Sequence, residues 1–458
     1  MPHVVGAQGK TFTDFLRVIV RQMDNSSTRR VVITGVGVVS PLGLEPEAML
    51  DRLRAGESGI KPFTRIPHGV LAIDHGAEAH DFSGHIDDYG PLEKTLKRTI
   101  RKGTKVMCRE IEMGVAVAQR ALADSGLTEE VRDRDRTGVI FGCDYIMSLP
   151  EEFTAGIAKC LDDEGQFQIS EWGQTGKPEV NPLWLLKYLP NMPASHVAIY
   201  NDLRGPNNSI TMREAAAGAA TAEAFSTIQR GHADSLIVGA TGSRIHPLRT
   251  LHAAMQEQLA STRDDHTTMS RPFDQSRDGS VLGEGAGAML LESYEHATKR
   301  GAKILGEVMG YGSSAVGGAA GENYLQRAIA NALRSALGDA DPASIGHIHA
   351  HGLGTVEGDQ QEASAIADVF GSVSQQPPVT TAKGHFGNLG AGSGMVEMVA
   401  SVLALGGELF PIRNLSSLDE HCPINACGAS GVAAGDSFIS VNVTPQGQAS
   451  AIRIQRVL

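Results

Sequence analysis

The sequence predicts an α/β protein, on three observations. Fifty-three glycines in 458 residues are too many for a helical bundle, and they fall in strand-turn-helix patterns that need tight turns and close backbone approach. With 41% hydrophobic residues the chain can bury a substantial core, and its length suggests two or three domain-sized units. The run Val31 to Val38, β-branched residues interspersed with glycine, is echoed by ILGEVMGYGS at Ile304 to Ser313, as an internally duplicated chain should show.

Val31 to Val38 reads as a buried strand, followed by the turn Ser40-Pro41-Leu42-Gly43. Met107 to Ala123 has the spacing of a helix, and Ser235 to Thr241 is a continuous buried strand. Glu214 to Arg230 is rich in alanine and should be a helix packed closely between layers, because small side chains permit near contact. His347 to His351 reads as a short strand ending in a loop, and Ser437 to Val443 and Ala449 to Val457 as closing strands. No proline- or serine-rich linker divides the chain. We expect an extension over 1–28, a first half over 29–295 and a second over 296–458, the halves forming one unit.

A formal net charge of −12 argues against nucleic acid as a partner. Cys108, Cys143, Cys160, Cys422 and Cys427 form neither an even disulfide framework nor a paired C-x-x-C signature, which suits a reducing cytoplasm. His421 stands beside Cys422 and near Cys427, yet isolated thiols are the favoured reading there, and we expect neither metal nor cofactor. Residues 1–28 hold one short apolar run, Phe15 to Val20, interrupted by Arg17. It is too short for a membrane span, and the extension reads as flexible, with Met23 an alternative start and a partner-binding helix the competing reading.

Five segments, in order, carry a family resemblance: VVITGVGVVSPLG at Val31 to Gly43, YLPNM at Tyr188 to Met192, SRPFDQSRDGSVLGEGAGAMLLE at Ser270 to Glu292, HGLGT at His351 to Thr355, and KGHFGNLGAGSG at Lys383 to Gly394. From Arg29 onward the chain resembles the beta-ketoacyl-acyl-carrier-protein synthase II type of ketosynthase, in the thiolase superfamily. The resemblance implies a thiolase-like fold of two duplicated halves in a layered αβαβα sandwich, each half a mixed sheet, with two helices between the sheets. It also implies acyl carrier protein as partner and a dimer, with itself or with an active ketosynthase, whose interface follows the strand before Glu214, around His196 to Asn207.

The frame of the family's nucleophile turn is present in GPNNSITMREAAAGAA, Gly205 to Ala220, but Glu214 stands where the reactive cysteine would be. A thiolate attacks a thioester and leaves again; a carboxylate at pH 7 does neither well. Glu214 is open to three readings: a general base, a fixed anion mimicking a malonyl carboxylate, or the last member of an S/T-x-x-E capping box, Thr211-Met212-Arg213-Glu214. By resemblance His351 is the first active-site histidine. Asn388 takes the place of the second; its amide could donate to an oxyanion but could not transfer a proton. His385, three residues earlier, is a loop histidine or an inward-reaching substitute. Lys383 matches the active-site lysine and could pair with Glu214, and Glu284 in GEGAG matches a supporting position. SFISVNVT, Ser437 to Thr444, replaces a glycine-rich gating loop with residues that restrict the backbone.

Lys94, Lys97, Arg98, Arg101, Lys102, Lys105 and Arg109 recur at three- and four-residue spacing and share one helical face if Gly103 does not break it. This face is either a docking surface for an acidic carrier protein or a solvated basic helix. For function three readings stand: a noncanonical enzyme using Glu214, His351 and Asn388 on carrier-bound thioesters, a non-catalytic partner resembling chain-length factors, and an ordinary elongating synthase.

Overall fold

Nine consecutive buried residues, Val31–Val39, form strand β1, near the middle of the sheet in the computed structural model, which describes residues 29–457 apart from 68, 70 and 72. The expected extension over 1–28 lies outside the described residues. The first half supplies β1, β2 (Thr137–Cys143), β3 (Asn207–Thr211), β4 (Ser235–Ser243) and β5 (Glu284–Ser293). The second supplies β6 (Gly306–Ala315), β7 (His347–His349), β8 (Val379–Thr380), β9 (Ser437–Val443) and β10 (Gln448–Gln455).

Duplication is explicit in the pairing. The order across the sheet is β8-β7-β9-β10-β6-β1-β5-β4-β2-β3, so each half runs third, second, fourth, fifth, first strand. In both halves the first strand pairs antiparallel with the fifth and the fifth with the fourth, while the remaining neighbours are parallel. The two half-sheets are joined by a short antiparallel contact, Val31 to Ile33 against Val308 to Gly306, which makes one hydrogen-bonded system of ten strands where two sheets were expected.

Four helices build the layers. α1 (Arg109–Ser125) covers β1, β4 and β5 on one outer face, and α3 (Tyr324–Leu337) covers β6, β9 and β10 on the other. Between them lie α2 (Ala216–Gln229) and α4 (Ser393–Ala404), each touching strands of both halves. The glycine echo in the sequence now has a cause. A Cβ at Gly35 would stand 2.4 Å from the carbonyl oxygen of Ala121 in α1, and one at Gly312 would stand 1.9 Å from that of Ala332 in α3. In each half the first strand is thus stripped of side chains where its outer helix presses on it.

Most boundaries fall within two residues of expectation. The alanine-rich segment opens with a 3₁₀ turn, Arg213–Ala215, before α2 begins. β7 stops at His349, leaving His351 in the following loop. Ser437 to Val443 is the closing strand expected, every residue of it pairing with β10. Two expectations need correction. His196 to Asn207 is not the strand before Glu214: it is helix through Asn201, and β3 begins only at Asn207. The basic helix Lys94–Gly103 ends at Gly103, a 3₁₀ turn follows over Thr104–Val106, and Arg109 begins α1 and turns inward. Gly103 breaks the face because Tyr200 packs on it, its hydroxyl 1.7 Å from where a Cβ would be.

Candidate functional site

Two equivalent turns create the site. In each half the chain leaves the third strand and enters a sandwiched helix, and these entries face each other, bringing Glu214 and Asn388 together across the duplication. Arg213, immediately before Glu214, takes the left-handed conformation with φ 50°. For a residue with a Cβ this is a local strain that surrounding contacts must hold in place.

Those contacts are ionic. Arg244 Nη1 donates to Glu214 Oε1 at 2.7 Å, and Asn388 Nδ2 donates to the same oxygen at 3.0 Å. Arg213 Nε stands 3.3 Å from Oε2 without forming a hydrogen bond to it. A second carboxylate, Glu257, bridges both arginines, at 2.8 Å from Arg213 Nη2 and 2.5 Å from Arg244 Nη2. Glu214 and Arg244 have side-chain exposures of only 1% and 2%, and with the part-buried Arg213 and Glu257 they make a cluster of two charges of each sign that neutralise one another. Burial pushes the Glu214 carboxyl upward, but Arg213 and Arg244, with help from His351 and Asn388, pull it down to about 2. It stays an anion at any ordinary pH.

No cap is formed. Neither Thr211 nor Glu214 bonds a backbone amide of the turn, so the capping-box reading fails: the carboxylate is drawn into the arginine cluster instead. The expected Lys383–Glu214 pair is also absent. Lys383 Nζ lies 2.5 Å from Glu397 Oε1, both fully buried, and Glu397 Oε2 accepts from Asn442 Nδ2 at 2.9 Å. Asn442 in turn lies 3.3 Å from His351 Nδ1. Burial, reinforced by Lys383 and then Arg244 and Arg213, holds the His351 imidazole well below its usual pKa, so it is neutral at pH 7. Its loop is pinned by Glu362, whose carboxylate accepts from the amides of His351 and Gly352 at 2.6 and 2.7 Å.

Asn388 has little left to offer. One amide hydrogen serves Glu214, and its oxygen accepts from Gly390 N at 2.9 Å and Ser393 Oγ at 3.3 Å. His385 is neither a loop histidine at the surface nor a substitute for Asn388. It is fully buried, with its ring nitrogens 3.0 and 3.1 Å from the carbonyls of Glu57 and Pro411. Glu284 lies at the start of β5, where it pairs with Arg109 at 2.7 Å and accepts from Ser243 Oγ at 3.0 Å. It thereby braces the residue next to Arg244.

Glu214, His351, Asn388 and Lys383, which the sequence singles out, meet in one locality, and Arg244, Glu257, Glu397 and Asn442, which it does not, join them there. A charged residue on an otherwise apolar stretch was the available signal for Arg244 and Glu397; nothing marked Glu257. Other nucleophiles are poor. Cys143 pairs in register with Thr211, three residues from Glu214, but burial drives its thiol up to about 12. All five cysteines are free thiols, and no group of three metal-binding side chains occurs among the described residues. A cavity of about 200 Å³ reaches the site, lined among others by His351, Glu257, Tyr324, Thr355, Val443 and Pro445.

Comparison with known proteins agrees with this architecture. Two family profiles match, beta-ketoacyl synthase N-terminal domain over 28–297 and beta-ketoacyl synthase C-terminal domain over 304–415. The 3-oxoacyl-[acyl-carrier-protein] synthase 2 of Synechocystis sp. is 32% identical over 409 residues, covering 88% of this chain and 92% of that protein. Among solved structures, the ishigamide ketosynthase/chain length factor is 26% identical with a TM-score of 0.77, and a beta-ketoacyl synthase from Burkholderia phymatum STM815 is 25% identical with a TM-score of 0.78. Each match spans 94% of this chain and 100% of the other.

Proposed function

The chain belongs to the beta-ketoacyl synthase family, and on that footing we propose that it is a subunit of fatty-acid or polyketide biosynthesis that performs no thiolate-dependent condensation and partners a catalytically intact ketosynthase. One observation carries this: the residue at the nucleophile turn is a buried carboxylate tied to two arginines and to Asn388. A nucleophile must meet a carbonyl and a polarising donor must be free, and here both are spent on each other. The likeness to a ketosynthase/chain length factor supports the partner role. An ordinary elongating synthase would need a thiol that this turn lacks.

A second reading keeps the chain catalytic, as a decarboxylase of carrier-bound malonyl groups. The cavity favours it, since it leads to His351. The two readings separate in one experiment: the purified chain is incubated with malonyl- and acyl-carrier protein, alone and with an intact ketosynthase. The partner reading expects no decarboxylation and no ketoacyl product from the chain alone, with product length or yield altered when both are present. Decarboxylation by the chain alone would replace it with the second reading. Cysteine-directed ketosynthase inhibitors should leave the wild-type site unlabelled, and an adduct on Cys143 found by peptide mass spectrometry would overturn the assignment of Glu214.

Partnership needs an interface, and β3 is suited to it. Among the described residues it is the outer edge of the first half-sheet and pairs only with β2, and an open edge presents unpaired amides and carbonyls. The preceding helix, Met192–Asn201, exposes Ile199. Pairing of β3 across a two-fold axis would cover both. Sedimentation should show a dimer at micromolar concentration, with itself or with the ketosynthase; a monomer under both conditions would sink the proposal. Carrier protein would dock on the basic helix and the turn after it, where Arg98, Arg101, Lys102 and, on the turn, Lys105 are exposed and Lys97 is already paired with Asp87. Reversing Arg98 and Arg101 to glutamate should weaken carrier binding and flatten its salt dependence in a titration.

A further inference from the structure

We propose that Arg213, Arg244 and Asn388 form a binding site for a small carboxylate, and that the side chain of Glu214 is its tethered occupant. The inference rests on the reading of the site as closed to acyl transfer, and it adds what kind of site closes it. Three features point to a ligand site in place of an incidental ion pair. The donors come from three separate places in the chain, the nucleophile turn, the end of β4 and the entry to α4, and they converge on one carboxylate. Arg244 is itself 98% buried and is supported behind by Glu257, as an anion-binding arginine must be to hold its position.

The site is also incompletely used. Glu214 Oε2 and the Nε atoms of Arg213 and Arg244 are buried without a hydrogen-bond partner among the described residues. The tether that delivers the carboxylate does not let it meet every donor, whereas a free carboxylate could rotate to do so. Removing the tether leaves a pocket of carboxylate size beside the cavity that reaches Glu257 and His351, which supplies an entry path. Formate and acetate fit such a pocket; a longer dicarboxylate would bring a second charge against Glu257.

The test uses Glu214→Ala in the full chain. Its melting temperature should lie below that of wild type, and should rise by several degrees with sodium formate, growing with the logarithm of concentration as mass action requires. Sodium chloride at equal ionic strength should give no such rise, and neither salt should act differentially on wild type, whose site is filled. Glu214→Gln, which keeps the volume and loses the charge, should fold and show no formate response. Adding Arg244→Met to Glu214→Ala should abolish the response. Equal shifts in formate and chloride, or a formate response that survives loss of Arg244, would overturn the proposal. So would a Glu214→Ala chain that refolds no better in formate than in chloride. None of these readouts involves acyl transfer, so failure here leaves the partner reading standing, and decarboxylation by the wild type would fail that reading without deciding this one.

Discussion

Arg244→Met is expected to destabilise the protein by about 3–5 kcal/mol, the range seen when one member of a buried ion pair is removed and the other left behind. Glu214 would keep its burial and lose its nearest cation, retaining only Arg213 and the amide of Asn388. The check is the midpoint of urea unfolding. Pairing the change with Glu214→Gln should recover most of the loss, because no charge is then stranded. Acid dependence gives a second handle. Glu214 is lowered from 4.5 to about 2, so its contribution is present in full above pH 4.5 and is lost as pH falls toward 2. A shift of that size corresponds to about 3 kcal/mol. That acid-side slope should shrink in Arg244→Met; an unchanged slope would mean that the arginine does not hold the carboxylate down.

Glu214→Cys is expected to restore a reactive thiol and no condensation. Arg213 and Arg244 would favour the thiolate, so alkylating reagents should label this position at neutral pH where they do not label wild type. Acylation from an acyl thioester should follow. The second half-reaction needs decarboxylation and stabilisation of the enolate, and Asn388, which by the family resemblance takes the place of the second histidine, is a neutral donor with no proton to transfer. One missing electrostatic donor costs about 2.7–4 kcal/mol of barrier, so ketoacyl product should be measurable only when Asn388→His is added. Arg244 must also withdraw, since its guanidinium lies within hydrogen-bonding distance of the side chain being replaced. Robust product from Glu214→Cys alone would refute this account of the site.

The strands that were legible in the sequence are those buried on both faces. Val31–Val39, Ser235–Ser243 and Ser437–Val443 carry continuous apolar or small residues because nothing about them meets water. β3 was misplaced for the opposite reason. NNSIT is an edge strand, partly exposed, with no apolar pattern to announce it. At the site, the family motifs mark Glu214, His351 and Asn388; His351 and Asn388 are flanked by glycines at positive φ, whereas at Glu214 the left-handed residue is Arg213. Their partners were hidden. Arg244 lies 30 positions from Glu214 and Glu257 lies 44 from Arg213, and only the meeting of the β4 end with the nucleophile turn brings them into contact. The capping box is a sound local inference defeated by a tertiary contact, since the buried guanidinium of Arg244 competes with the backbone amides for the same carboxylate. The basic face was overextended because a helical period cannot show that Tyr200 would close against Gly103.

The four-charge cluster also sets which changes at this turn the fold can absorb. Removing Arg244 alone strands Glu214, and a neutral residue at 214 leaves Arg213 and Arg244 facing Glu257 alone. A cysteine escapes that imbalance only as its thiolate, so the surroundings demand an anion at 214 and not a carboxyl group as such. Selection for a folded protein therefore ties position 214 to Arg244, whatever reaction the chain does or does not perform.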